Sequence, residues 1–293
     1  MKFLRKKAIK ALQGRGFYQV KDLPPLDFRG YDLTPLQLAG SAGEQAVLVE
    51  VPVEKLRAFD FIGFDLARRG RHPFVMAGNQ MLSGQSTGYS GSLLESYYEF
   101  VKPSSFSDVL FDQEGLKLAE GQFASLTSLE ASFPWLKNDP GQVRRARLRE
   151  MSKEARQHGL RGEEYLCWPF AGPVSRERGG LEYGRLQGII ESITREGYAP
   201  GAFEGHIGGY LLMRDDDEYA VVIAGGQHRV ACLSALGYDR VPVLVKNDQN
   251  VSRRDSLSWR GVASGFFTKD QALNIFDRVL EGRLPDYFEK AWA

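Results

Sequence analysis

Cysteine is nearly missing from this chain: 293 residues carry only Cys167 and Cys232, far apart and without a metal-type or redox-type partner in sequence. A disulfide framework is excluded, and the usage fits a reducing, cytoplasmic setting in which both thiols are small buried hydrophobes. Histidine is also sparse, and four scattered residues do not compose a metal site. Long apolar runs are absent, since no stretch approaches the ~20 residues that a spanning helix needs. An excess of one charge is missing too. Thirty-eight Lys and Arg against 37 Asp and Glu leave a net charge of +1, so no overall field draws nucleic acid or an anionic membrane. The basic segment from Met1 to Leu12 is broken by Lys10, which makes it a poor secretory signal and a solvated leader helix. There is no internal repeat and no low-complexity tract.

What is present is core-forming material: 43% apolar and 12% aromatic residues, enough for two domains or for one with a large insertion. Residues 46–53 (Ala-Val-Leu-Val-Glu-Val-Pro-Val) predict a strand ending at a proline, and Glu54-Lys55-Leu56 begins a turn or short helix. Between residues 60 and 168 the pattern is irregular but aromatic-rich, with Tyr89, Tyr97, Tyr98, Phe100, Phe106, Phe111, Phe123, Phe133 and Trp135 spaced as a core uses them. The arginine-rich run between Gln142 and Gly162 is interleaved with Glu150 and Glu154, which predicts an exposed, charge-laced helix rather than a phosphate-binding face.

The informative block starts near Glu182. Leu186, Ile189, Ile190 and Ile193 recur at i, i+3, i+4 and i+7, one face of a helix that Gly197 stops. At about 100° per residue, Arg185, Gly188 and Ser192 share one edge beside that stripe. Two strand-like runs, His206 to Met213 and Tyr219 to Ala224, flank the acidic turn Arg214-Asp215-Asp216-Asp217-Glu218 and predict a hairpin. Gly225-Gly226 follows, then a helix from Gln227 to Leu236 closed by Gly237, and a last strand from Val241 to Val245.

A strand that passes through two glycines directly into a helix leaves several backbone N–H groups aimed at one point, a seat for an anion. Glycine permits positive φ there and removes the Cβ that would block a phosphate. His228 and Arg229 in the first turn add a switchable donor and a permanent bidentate one.

Three spaced motifs in this block occur in the order used by the ParB/sulfiredoxin superfamily: Glu191-Ser192-Ile193-x-x-x-Gly197, Gly225-Gly226-Gln227-His228-Arg229-x-Ala231, and Leu236-Gly237-Tyr238-x-x-Val241-Pro242-Val243. Residues 182–246 resemble that superfamily, and the strand from Val49 resembles its opening strand. The resemblance implies an α+β fold with a small mixed β-sheet and packed helices, wrapped by an N-terminal and inserted region. The corresponding division is a leader (1–45), a nucleotide-binding domain (46–58 with 170–247), an accessory insertion (59–169) and a C-terminal helical tail (248–293). The tail is expected to hold one capped helix, from Thr268-x-x-Gln271 to Gly282. The resemblance further implies that Gly225, Gly226, Gln227, His228 and Arg229 hold nucleotide phosphates, and that Arg185, in place of a lysine, with Gly188 and Ser192 contacts the nucleotide.

Departures from the family sort its activities. Gln227 stands where a sulfiredoxin has its reacting cysteine, and an amide cannot be that nucleophile. The residues after Val245 are expected to hold little more than one capped helix, which argues against the helix-turn-helix region of a partition protein. The branch resembling free-serine kinases remains, which implies phosphoryl transfer from ATP, ADP or CTP, with Mg2+, to a small hydroxylated acceptor. His228 is then a catalytic candidate, and Glu182, ahead of Glu191, Glu204 and Asp215 to Asp217, the candidate base. A nucleotide-binding regulatory module without turnover and a ParB-like nuclease or DNA-binding protein are the competing readings. Cys232 is expected to be a buried thiol and Trp259 a core residue, although Trp259 and Arg260 could cover a pocket.

Overall fold

A computed structural model describes residues 24–43, 45–119, 121–136, 139–160, 162, 167–200, 205–215 and 218–292. The leader to residue 23, Arg161, Glu204, Asp216 and Asp217 lie outside the described residues. Among the described residues seven strands form one mixed sheet: β1 (Leu26–Asp27), β2 (Val47–Pro52), β3 (Leu56–Ala58), β4 (Ile207–Arg214), β5 (Glu218–Gly225), β6 (Arg240–Val245) and β7 (Val251–Ser252). Their order is β1-β2-β6-β4-β5-β3, with β7 beside β4. The β4–β5 hairpin and the β2–β6 pair are antiparallel; β6 and β7 run parallel to β4, β3 to β5, and β1 to β2. Leu211, Leu212, Val221, Val222 and Ile223 are all buried, a continuous apolar run in the two central strands, as expected where both faces of a sheet are covered.

Among the described residues the helices are α1 (Pro35–Ser41), α2 (Pro73–Leu82), α3 (Leu93–Phe100), α4 (Phe106–Leu110), α5 (Gln113–Leu118), α6 (Pro140–Gln157), α7 (Arg176–Glu196), α8 (Gln227–Ala235), α9 (Arg260–Ala263), α10 (Lys269–Glu281) and α11 (Asp286–Ala291). The architecture is therefore α+β with a mixed sheet. The hairpin, the glycine turn and the strand after α8 fall where the sequence predicts them. α7 is longer than expected: it starts at Arg176 because Ser175 caps it, its side chain accepting from the Arg178 amide, and it runs through Gly179. A side chain at Gly179 would overlap the Tyr89 hydroxyl, so packing of Tyr89 explains a glycine inside a helix. β3, three residues long, was not anticipated, since Pro52 and the turn at Val53–Lys55 obscure it.

One core joins these elements from Leu38 to Phe288 and includes Phe64, Phe74, Tyr97, Phe106, Phe111, Phe123 and Phe133. Of the aromatics read as core, Tyr89 is half-buried against it and Phe100 is 64% exposed. α10 has the expected capping box of Thr268 and Gln271 and ends at Gly282 in the left-handed region. The buried Arg57 donates to the carbonyls of Val279 and Leu280, satisfying the end of that helix, and the buried Arg278 donates to Ile62 and Leu110. α6 is mostly exposed, as its composition predicts, with a Glu150–Lys153 pair at 4.0 Å, but Met151, Ala155 and the Arg147 guanidinium turn inward. Arg147 lies over the rings of Phe61 and Trp168 and donates to Ser128 and Ala131.

The hairpin register shifts between Gly208 and Gly209, which sets where β5 ends and the glycine turn begins. A Cβ on Gly209 would lie 2.6 Å from the Val222 carbonyl oxygen and 3.0 Å from Val221 Cγ1. Gly209→Ala is expected to cost about 1–3 kcal/mol through backbone displacement, read as a lower urea midpoint; an unchanged midpoint would show that the strand accommodates a methyl group.

Candidate functional site

β5 delivers the chain to Gly225, and Gly226 turns it into α8 with φ 85° and ψ 26°, a left-handed conformation that favours glycine. No side chain caps this nine-residue helix. The first-turn amides of Gln227 and His228 have no acceptor within the helix, and the helix dipole adds positive potential at the same end. Ala224 and Gly225 are exposed, and a Cβ on Gly225 would meet nothing within 4 Å, so the turn is open on that side. The Arg229 guanidinium folds back over Gly226, and its Nη1 donates to the Gly205 carbonyl. Gln227 anchors the turn from behind: its Nε2 donates to the Phe59 carbonyl at 3.1 Å, tying α8 to the loop after β3.

His228 points away from the open side into a charge cluster. Its Nε2 lies 2.6 Å from Glu182 Oε2, and its ring stacks on Phe74 with centroids 4.5 Å apart. Glu182 is completely buried. Arg178 Nη2 approaches its other oxygen at 2.5 Å, and Arg185 Nη1 lies 3.2 Å from the oxygen shared with His228. Glu154 on α6 closes the group, 2.9 Å from Arg178 and 2.8 Å from Arg185. Helical spacing builds most of this, because Arg178, Glu182 and Arg185 stand at i, i+4 and i+7 on one face of α7.

Burial alone would push the Glu182 carboxyl up, but the His228 hydrogen bond and the charges of His228, Arg185 and Arg178 outweigh it and hold the group down at about 2. Burial lowers Arg178, and the charges of Glu182 and Glu154 more than restore it. The role of general base expected for Glu182 meets a carboxylate that is fully buried, with its oxygens already engaged by Arg178, Arg185 and His228. What Glu182 can do is orient His228, as a carboxylate orients an imidazole in a hydrolase triad. His72, the cap of α2, accepts from the Phe74 amide through Nδ1 and so fixes the ring beneath His228; burial, aided by the nearby charge of His228, pushes His72 down to about 3.

Of the remaining residues expected at the site, Arg185 joins the Glu182 cluster, whereas Gly188 and Ser192 are not gathered there. Glu182 meets His228, and the Cys232 thiol faces the Leu186 carbonyl at 3.6 Å. The equal offset means that α7 and α8 run side by side in the same direction. At ~1.5 Å per residue, Gly188 and Ser192 lie about 9 and 15 Å beyond Glu182 along α7, receding from the start of α8. Gly188 is exposed and Ser192 half-buried. Arg185, expected on a nucleotide, is engaged by Glu154 and Glu182. Glu191 is an exposed acceptor for Gln187, and Asp215 occupies the hairpin turn with φ 62°. Burial pushes the Cys232 thiol up, as suits a packing residue. Arg178, Glu154 and Phe74 were missed. The Arg-x-x-x-Glu-x-x-Arg spacing was a usable signal for the first, whereas nothing local in sequence links Glu154 or Phe74 to His228.

The chain matches no family model, no curated protein and no solved structure.

Because the Glu182 carboxyl titrates at about 2 instead of near 4.5, its contribution to stability is complete above pH ~5 and is lost as pH falls through that interval, about 3 kcal/mol in all. Glu182→Gln is expected to lower stability at pH 7 by about 3–5 kcal/mol, because the buried Arg178 and its neighbour Arg185 are left to share Glu154 as their one carboxylate, and to flatten the acid limb of stability against pH. Urea unfolding of both proteins from pH 7 to 2 checks this; parallel acid limbs would contradict it.

Proposed function

We propose that this protein binds a nucleotide through its polyphosphate at the start of α8, in the manner of the ParB/sulfiredoxin superfamily, and passes a phosphoryl group to a small hydroxylated acceptor. The observation that carries the reading is the uncapped helix start behind the left-handed Gly226, open at Gly225, with the Arg229 guanidinium over the turn. Backbone amides, a helix dipole and a guanidinium converge where a phosphate would sit. His228, held by Glu182 on the inner side of the turn, fixes how the first turn of the helix faces the phosphates, and phosphoryl transfer asks for little besides positioning and charge cancellation. Arg178 and Arg185 engage both nearby carboxylates, Glu154 and Glu182, so Mg2+ would be held chiefly by the nucleotide phosphates.

A second reading, nucleotide binding without turnover, is favoured by the His228 ring itself, which is stacked on Phe74 and hydrogen-bonded to a buried carboxylate. Both readings need the same seat.

A thermal-shift panel of ATP, ADP, CTP and GTP with magnesium tests it. Nucleotide at about 100 times its dissociation constant adds roughly 2.7 kcal/mol, and Arg229→Ala is expected to abolish the shift because a charge-assisted phosphate contact contributes about 1.5–3 kcal/mol. An identical response from the variant, or no shift with any nucleotide, rejects the seat. Release of nucleoside diphosphate only when a hydroxyl compound is present separates transfer from binding alone.

A further inference from the structure

A second concavity lies on other residues. One cavity, of about 480 Å³, is lined by the end of the segment before α6, the middle of β4, and the loops around β7 and α9. This volume falls within the ~300–1,000 Å³ usual for small-molecule sites. Trp135, Tyr210 and Trp259, all buried, line it. Their packing is fixed: Trp259 stacks on Phe276 with centroids 5.2 Å apart, Trp135 meets Trp259 edge-on at 5.7 Å, and Trp135 Nε1 donates to the Tyr210 hydroxyl at 3.1 Å. Asn250 holds one wall to the sheet, its Oδ1 accepting from the Leu211 amide and its Nδ2 donating to Asn247.

Around this aromatic surface stand polar groups with unused capacity. The side chains of Asp248, Gln249, Asp255 and Arg260 line the cavity and are exposed. They make no hydrogen bond or ion pair among the described residues. The indole N–H of Trp259 is buried with no acceptor among the described residues, although Trp259 is 94% buried by its 6% exposure. The set mixes acceptors (two carboxylates) with donors (guanidinium, indole) and an amide that is both. A phosphate or other anion would face both carboxylates. An organic ammonium would satisfy them and leave Arg260 and the indole unanswered. A hydroxyl donates and accepts at once, and a sugar ring also offers an apolar C–H face to an indole.

We propose that this cavity is a binding site for a neutral pyranose sugar, with Trp135 and Trp259 as its apolar wall and Asp248, Asp255, Gln249 and Arg260 pairing with its hydroxyls. None of these residues belongs to the glycine turn, so the site stands or falls apart from nucleotide binding.

Two of the chain's four tryptophans line the cavity, so intrinsic fluorescence reports on it. The protein is titrated with a panel of neutral pyranose mono- and disaccharides, and separately with choline chloride and sodium phosphate. At least one sugar is expected to give a saturable change in emission. Asp255→Ala and Arg260→Ala, both at exposed positions, are expected to keep the parent's melting temperature and to bind that sugar about tenfold more weakly, the loss of one charge-assisted hydrogen bond. Arg229→Ala is expected to bind it like the parent. No saturable response to any sugar, saturation by choline or phosphate alone, or sugar binding indifferent to both cavity substitutions would overturn the assignment.

Discussion

A carboxylate stripped of water persists in a protein only where cations and donors replace the solvent, and Glu182 meets that requirement with Arg178, Arg185 and His228 drawn from two helices. Glu154 supplies the countercharge that keeps two guanidinium groups from repelling each other. Two arginines against two glutamates sum to zero, so the group is neutral whenever His228 is uncharged. The network fixes α6, α7 and α8 to one another through directional contacts, which apolar packing alone would leave free to slide. It thereby fixes the direction in which the first turn of α8 faces.

That first turn has two sides with opposite character. Toward the interior, His228 is clasped between Phe74 and Glu182; toward solvent, Gly225 and Gly226 present bare backbone beneath Arg229. The interior side spends its charges on the protein and the outer side keeps its amides available. An anion arriving at the outer side would find donors already oriented, because the buried pairs prevent the helix from reorienting. The functional proposal rests on this division of labour across a single helical turn.

Local pattern made much of this legible. Apolar periodicity located the Leu186–Ile193 stripe, the acidic hairpin turn marked β4 and β5, and the paired glycines marked the start of α8. The capping box at Thr268 placed α10. What local pattern could not supply was side-chain destination. Arg185, Gly188 and Ser192 do share one edge of α7, but which part of α8 that edge meets depends on the parallel packing of the two helices, a tertiary fact. Glu182 read as a titratable base because a sequence does not display the two arginines and the imidazole that close on it. Arg57 and Arg278 drew no reading, since nothing adjacent in sequence announces the distant carbonyls they serve.

Those two arginines govern how the molecule is assembled. Arg57 bonds to carbonyls 222 and 223 positions further along the chain, and Arg278 to one 216 positions back. Arg57 also donates to the nearby Glu54 and Leu56 carbonyls, so it has partners within its own segment before α10 supplies the distant ones. Contacts this far apart in sequence must be closed against chain entropy before they contribute, so they tie the first half of the molecule to its last long helix.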